Sequence, residues 1–404
     1  MKKRILFVDD QPNVLEGMGR MLRDMRYQWD MRFAVGGPDA LGVMAAEPFD
    51  LVVSDMRMPV MDGLQFLTEV RAKYPNVIRV ILSGYADQLL IMRSVGVAHQ
   101  YLSKPCDAEM LRSTLTRAIG LRTLMADESI TRLVGQMDTL PSLPALYSEI
   151  VQELQSSDAS IRRVGEIIAK DLGMTAKILQ LVNSAFFGIR RRVSNPADAA
   201  TYLGLETIQS LVLSFKAFSM FPTPVRDNSL TTIWSHSLAT AALAKRIAEG
   251  EHAGKSEADE SFTAGLLHDL GRLLLANNLP KQYGDVIRHA AVSGTAFSTA
   301  ERAMLGTTHA EVGAYLLGLW GLPDPIIEAV ALHHRPGDCT HKVFTPLSAV
   351  HAADALGCEL QAIQRDSVPA QCLDLDYIAA TGKGERLGEW RAWCLEAAMA
   401  GEDE

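Results

Sequence analysis

At 404 residues the chain is too long for one ordinary domain, and two or three are expected. With 48% hydrophobic and 22% charged residues it has the make-up of a soluble globular protein with ample core. Its net charge of −9 speaks against nonspecific binding to DNA or to anionic membranes, both of which need a basic face.

The opening "MKKRILFVDD" has an apolar run of only Ile5 to Val8 before two aspartates, too short for a signal peptide. No stretch approaches the 18 apolar residues of a membrane span. The five cysteines, Cys106, Cys339, Cys358, Cys372 and Cys394, form no C-x-x-C pair and suit a reducing compartment. A cytoplasmic location is expected.

Through the first 120 residues, apolar runs alternate with segments of helical spacing. Strands are predicted at Ile5–Val8, Trp29–Ala34, Leu51–Ser54, Val77–Leu82 and Gln100–Leu102, separated by helices such as the one carrying Val14, Met18 and Met21. Five βα units imply a parallel sheet covered on both faces, with ligands at the carboxyl ends of its strands. Those ends carry Asp9-Asp10, Asp55, Ser83-Gly84 and Lys104-Pro105. Three carboxylates suit a hard cation such as Mg²⁺, and a phosphoryl group needs such a cation plus a lysine. Each residue alone reads as a solvated loop side chain; five at matching strand ends do not.

On "LFVDD", "VVSDMRMPVMDG", "VILSGYAD" and "YLSKP", residues 1 to about 120 resemble a response-regulator receiver (CheY-like) domain, a doubly wound, flavodoxin-like α/β fold. The resemblance implies that Asp55 is phosphorylated by a sensor histidine kinase or a small phosphodonor. It further implies Mg²⁺ held by Asp10, Asp55 and the backbone carbonyl of Arg57, with Asp9 acting through water. Lys104 would pair with the phosphoryl oxygens before a cis Pro105, and Ser83 and Tyr101 would form the switch pair.

From Asp107 to Met137 helical spacing barely breaks. The segment is either a coiled-coil signalling helix, which makes it a candidate homodimer surface, or two helices meeting near Asp127. Pro141 and Pro144 in "DTLPSLPAL" then mark a domain boundary.

Beyond residue 145 strand signals fade and an all-α domain is expected. Seven of its residues stand out: His236, His268, Asp269, His309, His333, His334 and Asp354. Imidazoles and carboxylates converging from several helices are the ligands of a divalent transition metal such as Fe, Mn or Zn. Each also has a local reading. Thr308-x-x-Glu311 is a capping box that places His309 at a helix start. His333-His334 close a helix, where the dipole favours positive charge. Asp354 is three residues from His351, and the two can pair. Arg190-Arg191-Arg192 reads as a solvated loop with the option of meeting a phosphorylated ligand.

The order H…HD…H…HH…D resembles the HD superfamily of metal-dependent phosphohydrolases. "LPSLPAL", "KILQLVNSAFFG", "GLLHDLGRLLL" and "LPDPIIEAVALHH" resemble its HDOD branch, over about 141 to 340. HDOD domains share the HD fold, and no general enzymatic activity attaches to them. This chain keeps every ligand type, yet lacks the Gly-Tyr-Pro signature of the cyclic-di-GMP hydrolases, reading "RPGDCT" after His334. Arg272 replaces the usual lysine after HD-x-G, which keeps charge for phosphate binding but removes a proton donor.

The expected organisation is a receiver at 1–121, a helical connector at 122–140, an HDOD/HD-like domain at 141–358 and a helical extension at 359–404. The implied function is a two-component response regulator whose output domain binds a protein or a nucleotide-like ligand. The alternative is a receiver-controlled, metal-dependent phosphohydrolase acting on a nucleotide or phosphodiester. Direct nucleic-acid binding has no supporting module.

Overall fold

Strands buried on both faces read as unbroken apolar runs, and the five N-terminal runs pair into one parallel sheet. They are β1 (Lys3–Asp9), β2 (Trp29–Val35), β3 (Leu51–Asp55), β4 (Ile78–Gly84) and β5 (Gln100–Lys104), in the order β2-β1-β3-β4-β5. In this computed structural model, the described residues are 2–84, 97–124, 131–132, 134, 141–142, 144–156, 158–183, 192–209, 212, 219–220, 229–364 and 373–400. Each observed strand overlaps its predicted run and runs one or two residues further at its carboxyl end; β1 also starts two residues earlier and β4 one residue later, without Val77. β3 is buried along its whole length, whereas edge strand β2 exposes Phe33 and Val35.

The chain leaves β1 toward β2 on one side and returns to β3 on the other. This reversal sets the carboxyl ends of β1 and β3 side by side, and with them Asp9, Asp10 and Asp55. Helix Gly63–Lys73 starts close beneath the end of β3. Only a glycine allows that approach, since a Cβ at Gly63 would lie 2.2 Å from the Asp55 carbonyl oxygen.

Helix Ala108–Leu124 leaves the sheet and runs past residue 121 without a break. Both the proposed junction near Asp127 and the choice between one helix and two lie outside the described residues. The second module is helical, as its spacing predicts, apart from a parallel bridge of Pro141–Ser142 with Ser219–Met220 that carries no alternating pattern. Helix Leu172–Val182 is buried on every side, with Ser229–Gly250, Lys255–Leu267, His309–Leu319, Asp324–Leu332 and Pro346–Gln364 forming the body of the module.

Helix Pro346–Gln364 continues through residue 358, and the C-terminal extension packs back onto the module. Trp390 is fully buried and donates to Glu251, which Lys383 and Arg386 also pair. No helix among the described residues is long and apolar enough to cross a membrane.

Gly271, in the "HDLG" stretch, decides the tightest helix contact. A Cβ there would lie 1.9 Å from the carbonyl oxygen of His309, a backbone atom that cannot swing aside. Gly271→Ala is expected to destabilise the protein by about 1–3 kcal/mol or more through overpacking. A thermal melt of the two proteins checks this; an unchanged midpoint would remove the contact from the account.

Candidate functional site

At the rim of the parallel sheet, Lys104 Nζ lies 2.8 Å from Asp9 Oδ2 and also pairs with Asp55 Oδ1. The carboxylates are further held from the backbone: Gln11 N–H donates to Asp9 Oδ1 and Arg57 N–H to Asp55 Oδ2, both at 2.9 Å. Burial raises the Asp55 carboxyl above its ordinary range, against Lys104, which lowers it. Two buried carboxylates, with Asp10 beside them, face one lysine here, and that donor set fits a hard divalent cation. Ser83 and Tyr101 are fully buried, the Tyr101 hydroxyl donating to the Ala98 carbonyl at 3.5 Å. The Lys104–Pro105 peptide is cis.

In the helical module all seven singled-out residues converge. His236 comes from helix Ser229–Gly250, and His268 and Asp269 from the junction of Lys255–Leu267 with Leu270–Asn278. His309 opens the helix His309–Leu319, His333 and His334 close Asp324–Leu332, and Asp354 lies on Pro346–Gln364. His236 Nε2 is 3.0 Å from Asp354 Oδ1 and 3.3 Å from His268 Nε2. His309 Nε2 is 3.2 Å from Asp269 Oδ1 and 2.9 Å from His334 Nε2.

Backbone and side-chain acceptors orient these rings. Nδ1 of His268 bonds the Gly265 carbonyl, Nδ1 of His333 the Val330 carbonyl and Nδ1 of His309 the Glu301 carboxylate, at 2.6, 2.8 and 2.6 Å. Each partner fixes one nitrogen as donor and leaves Nε2 for the cluster. Ligand atoms of His236, His268 and Asp354 lie within 4.8 Å of one another, as do those of His309, His333 and His334, and those of His268, Asp269 and His333.

Two imidazole nitrogens facing each other at hydrogen-bond distance need a proton or a cation between them. Burying a carboxylate without compensation costs several kcal/mol, so the acids dominate the local electrostatics. Burial alone would lower His309, but Glu301 and Asp269 overcome it and raise the ring to about 10. Burial wins at His334, which falls to about 4, and it holds His333 well below the usual range. Asp354 Oδ2 is buried without a hydrogen-bond partner among the described residues. The donor set and this orphaned oxygen both fit a divalent transition metal.

Several local expectations resolve in this geometry. The Thr308–Glu311 capping box is present, and His309 serves the helix start and the cluster together. His351 does not pair with Asp354: its Nδ1 bonds the His333 carbonyl and its Nε2 accepts from Asp374 N–H, which turns the ring away. Arg272 donates to Asp269 at 2.8 Å and lies over the Phe297 ring. Glu301, itself bonded by Tyr283, went unseen in the sequence, where one acid in an ordinary helix carries no signal beyond its place on an apolar face.

A seam joins the two modules. Gln100, on β5 next to Tyr101, donates to the Leu319 carbonyl at 2.7 Å, and Gln180 donates to the His99 carbonyl at 3.5 Å. Arg117, on helix Ala108–Leu124, donates to the Leu322 carbonyl and pairs with Asp324. Arg192 is not a solvated loop residue; it donates to the Gly321 and Leu322 carbonyls at 2.6 and 2.7 Å. Arg190 and Arg191 lie outside the described residues. Gly321 takes a left-handed φ of 76°, and a Cβ there would meet the Gln100 amide at 3.0 Å.

Two family models match: a response regulator receiver domain over residues 5–116 and an HDOD domain over residues 140–336. An uncharacterized protein of Treponema pallidum is 27% identical over 256 residues, 62% of this chain and 49% of that protein. The response regulator protein PilR of Pseudomonas aeruginosa is 30% identical over 168 residues, 41% of this chain and 36% of that protein. The chain thus spans half or less of the length of these curated relatives. The crystal structure of the MmoQ response regulator from Methylococcus capsulatus is 26% identical, covering 63% of this chain and 98% of its own, with a TM-score of 0.49. With both models matched in order along one chain, the protein carries a response regulator receiver domain followed by an HDOD domain.

Proposed function

We propose that Asp55 accepts a phosphoryl group from a sensor histidine kinase or a small phosphodonor, and that this event controls what the HDOD domain binds. An Asp55 carboxylate oxygen forms the new O–P bond as the donor's bond to phosphorus breaks, and a donor imidazole leaves with a proton from solvent. Asp9, Asp10, Asp55 and the Arg57 carbonyl would hold Mg²⁺, which supplies charge neutralisation at the phosphoryl oxygens. Lys104 contributes the remaining positive charge and must shift from Asp9 or Asp55 to do so.

The observation that carries this reading is the seam. β5 and helix Ala108–Leu124 grip the carboxyl end of helix His309–Leu319, whose first residue belongs to the histidine–aspartate cluster. A change at the Ser83–Tyr101 side of the sheet therefore has a route to the output domain beside the connector. Phosphorylation shifts the population of seam-closed and seam-open forms, and the HDOD domain answers by binding a protein or a small ligand. As domain limits we propose 1–121, 122–140, 141–358 and 359–404, the first and third edges being functional rather than helix breaks.

The second reading, a metal-dependent phosphohydrolase, is favoured by the donor set alone. His236, His268, Asp269, His309, His333, His334 and Asp354 would hold Fe, Mn or Zn, which would supply an activated water. Arg272, engaged with Asp269, contributes charge and no proton.

Three outcomes are expected. With a labelled small phosphodonor and Mg²⁺, wild type takes up label and Asp55→Asn does not; equal labelling places the nucleophile elsewhere. Phosphorylation speeds hydrogen exchange of the amides of 316–322, and the pair Gln100→Ala with Arg117→Ala does so unphosphorylated; identical exchange in all forms sinks the seam route. Elemental analysis finds transition metal that His268→Ala loses, and Glu301→Gln weakens its binding by roughly 10–100-fold. If wild type then hydrolyses a cyclic dinucleotide or generic phosphodiester with Mn²⁺, the hydrolase reading replaces the binding one.

A further inference from the structure

The segment after His333-His334 is where the chain departs from the Gly-Tyr-Pro pattern, reading Arg335-Pro336-Gly337-Asp338-Cys339-Thr340-His341. Pro336–Asp338 forms one 3-10 turn, closed by Cys339 N–H donating to the Pro336 carbonyl at 3.1 Å. The turn carries Cys339 back over helix Asp324–Leu332. There Cys339 Sγ lies 3.6 Å from Glu328 Oε1, and His341 Nε2 lies 3.3 Å from Glu328 Oε2. One ligand atom from each of the three side chains lies within 4.8 Å of the other two.

We propose that Glu328, Cys339 and His341 form a zinc site, separate from the histidine–aspartate cluster, with water as the fourth ligand. A tetrahedral zinc with bonds of about 2.0–2.3 Å has ligand-to-ligand edges of roughly 3.3–3.8 Å, and whichever Glu328 oxygen serves as ligand already has one such edge, from Oε1 to Cys339 Sγ or from Oε2 to His341 Nε2. The remaining edges start from at most 4.8 Å and close by small adjustments of the His341 side chain, which is 47% exposed, and of the Glu328 carboxylate. Thiolate and imidazole together select zinc over Mg²⁺ or Ca²⁺, which take oxygen ligands.

The loop between the ligands is already clamped. Lys342 Nζ donates to the Gly337 and Cys339 carbonyls at 2.7 and 2.6 Å, which fixes the backbone on which Cys339 sits. Charge also favours the ion. Burial and the facing Glu328 carboxylate disfavour a bare thiolate at Cys339. Zinc binding displaces the thiol proton to solvent, and Zn²⁺ with one thiolate and one carboxylate is then neutral. Cys339 is 5% exposed while Glu328 and His341 reach solvent, so the ion has an entry path and a place for its water. The site clips the segment after the helix onto the helix's middle turn, one turn from Asp324, which meets Arg117 at the seam.

The test is Co²⁺ substitution in the full chain after chelator treatment. A thiolate-to-cobalt charge-transfer band is expected, displaced by one equivalent of Zn²⁺. Cys339→Ser removes the band, and His341→Ala weakens zinc binding roughly tenfold or more. Cys358→Ser, which removes the thiol near Asp354, and His268→Ala both retain it. No band in wild type, meaning a hydrogen-bonded trio alone, overturns the proposal. So does a band that survives in Cys339→Ser, or zinc lost on a desalting column as an adventitious ion only. Should Cys339→Ser fail to fold, zinc-edge X-ray absorption of the Cys358→Ser protein decides, sulfur in the zinc shell supporting the site and its absence overturning it.

Discussion

Both ends of helix His309–Leu319 are held by other parts of the chain, and the arrangement of the two domains follows from that. At its start, the Thr308–Glu311 capping box sets the first turn, while Asp269 and Glu301 hold the His309 ring. At its close, Gln100 takes the Leu319 carbonyl, which the helix cannot satisfy internally, and Arg117 and Arg192 hold the carbonyls of Gly321 and Leu322 just beyond it. A rigid rod with polar partners at each tip transmits displacement better than a flexible linker can. Gly271 and Gly321, at either end, are glycines because a Cβ at 271 would collide with the His309 backbone and because residue 321 takes a left-handed φ of 76°.

The cluster at the start of the rod is costly to build. Asp269 and Asp354 are buried with five imidazoles around them, and removing such charges from water is repaid only when every acceptor finds a donor or a cation. The protein answers with Arg272 on Asp269, a proton-hungry His309 and ring nitrogens tied to carbonyls. The receiver rim solves a similar problem with one lysine between Asp9 and Asp55. In both places fixed acids define a position for positive charge before any ligand arrives.

The receiver fold was legible because the inner strands β1, β3 and β4 are largely apolar runs, each ending at a polar residue of the rim. The cluster was legible by residue type and order, since histidines and aspartates at helix junctions are few and distinctive. Glu301 was not, because a lone acid in "STAERAML" looks like any solvated helix residue until its neighbours are known. The seam was illegible for another reason: its acceptors at 319, 321 and 322 are main-chain carbonyls, which every residue has. His351 and Asp354 show the opposite failure, where sequence spacing suggested a pair that three-dimensional packing separates.

Asp354 lies beyond residue 336, where the matched HDOD region stops, and so does Trp390, whose indole holds Glu251 just past the end of the helix that carries His236. The unit that must be inherited intact is therefore longer than the unit by which the domain is recognised. A fragment trimmed to the recognised limits would keep six of the seven cluster residues and yet leave His236 facing no carboxylate from Asp354, with the hydrophobic face under Trp390 bare.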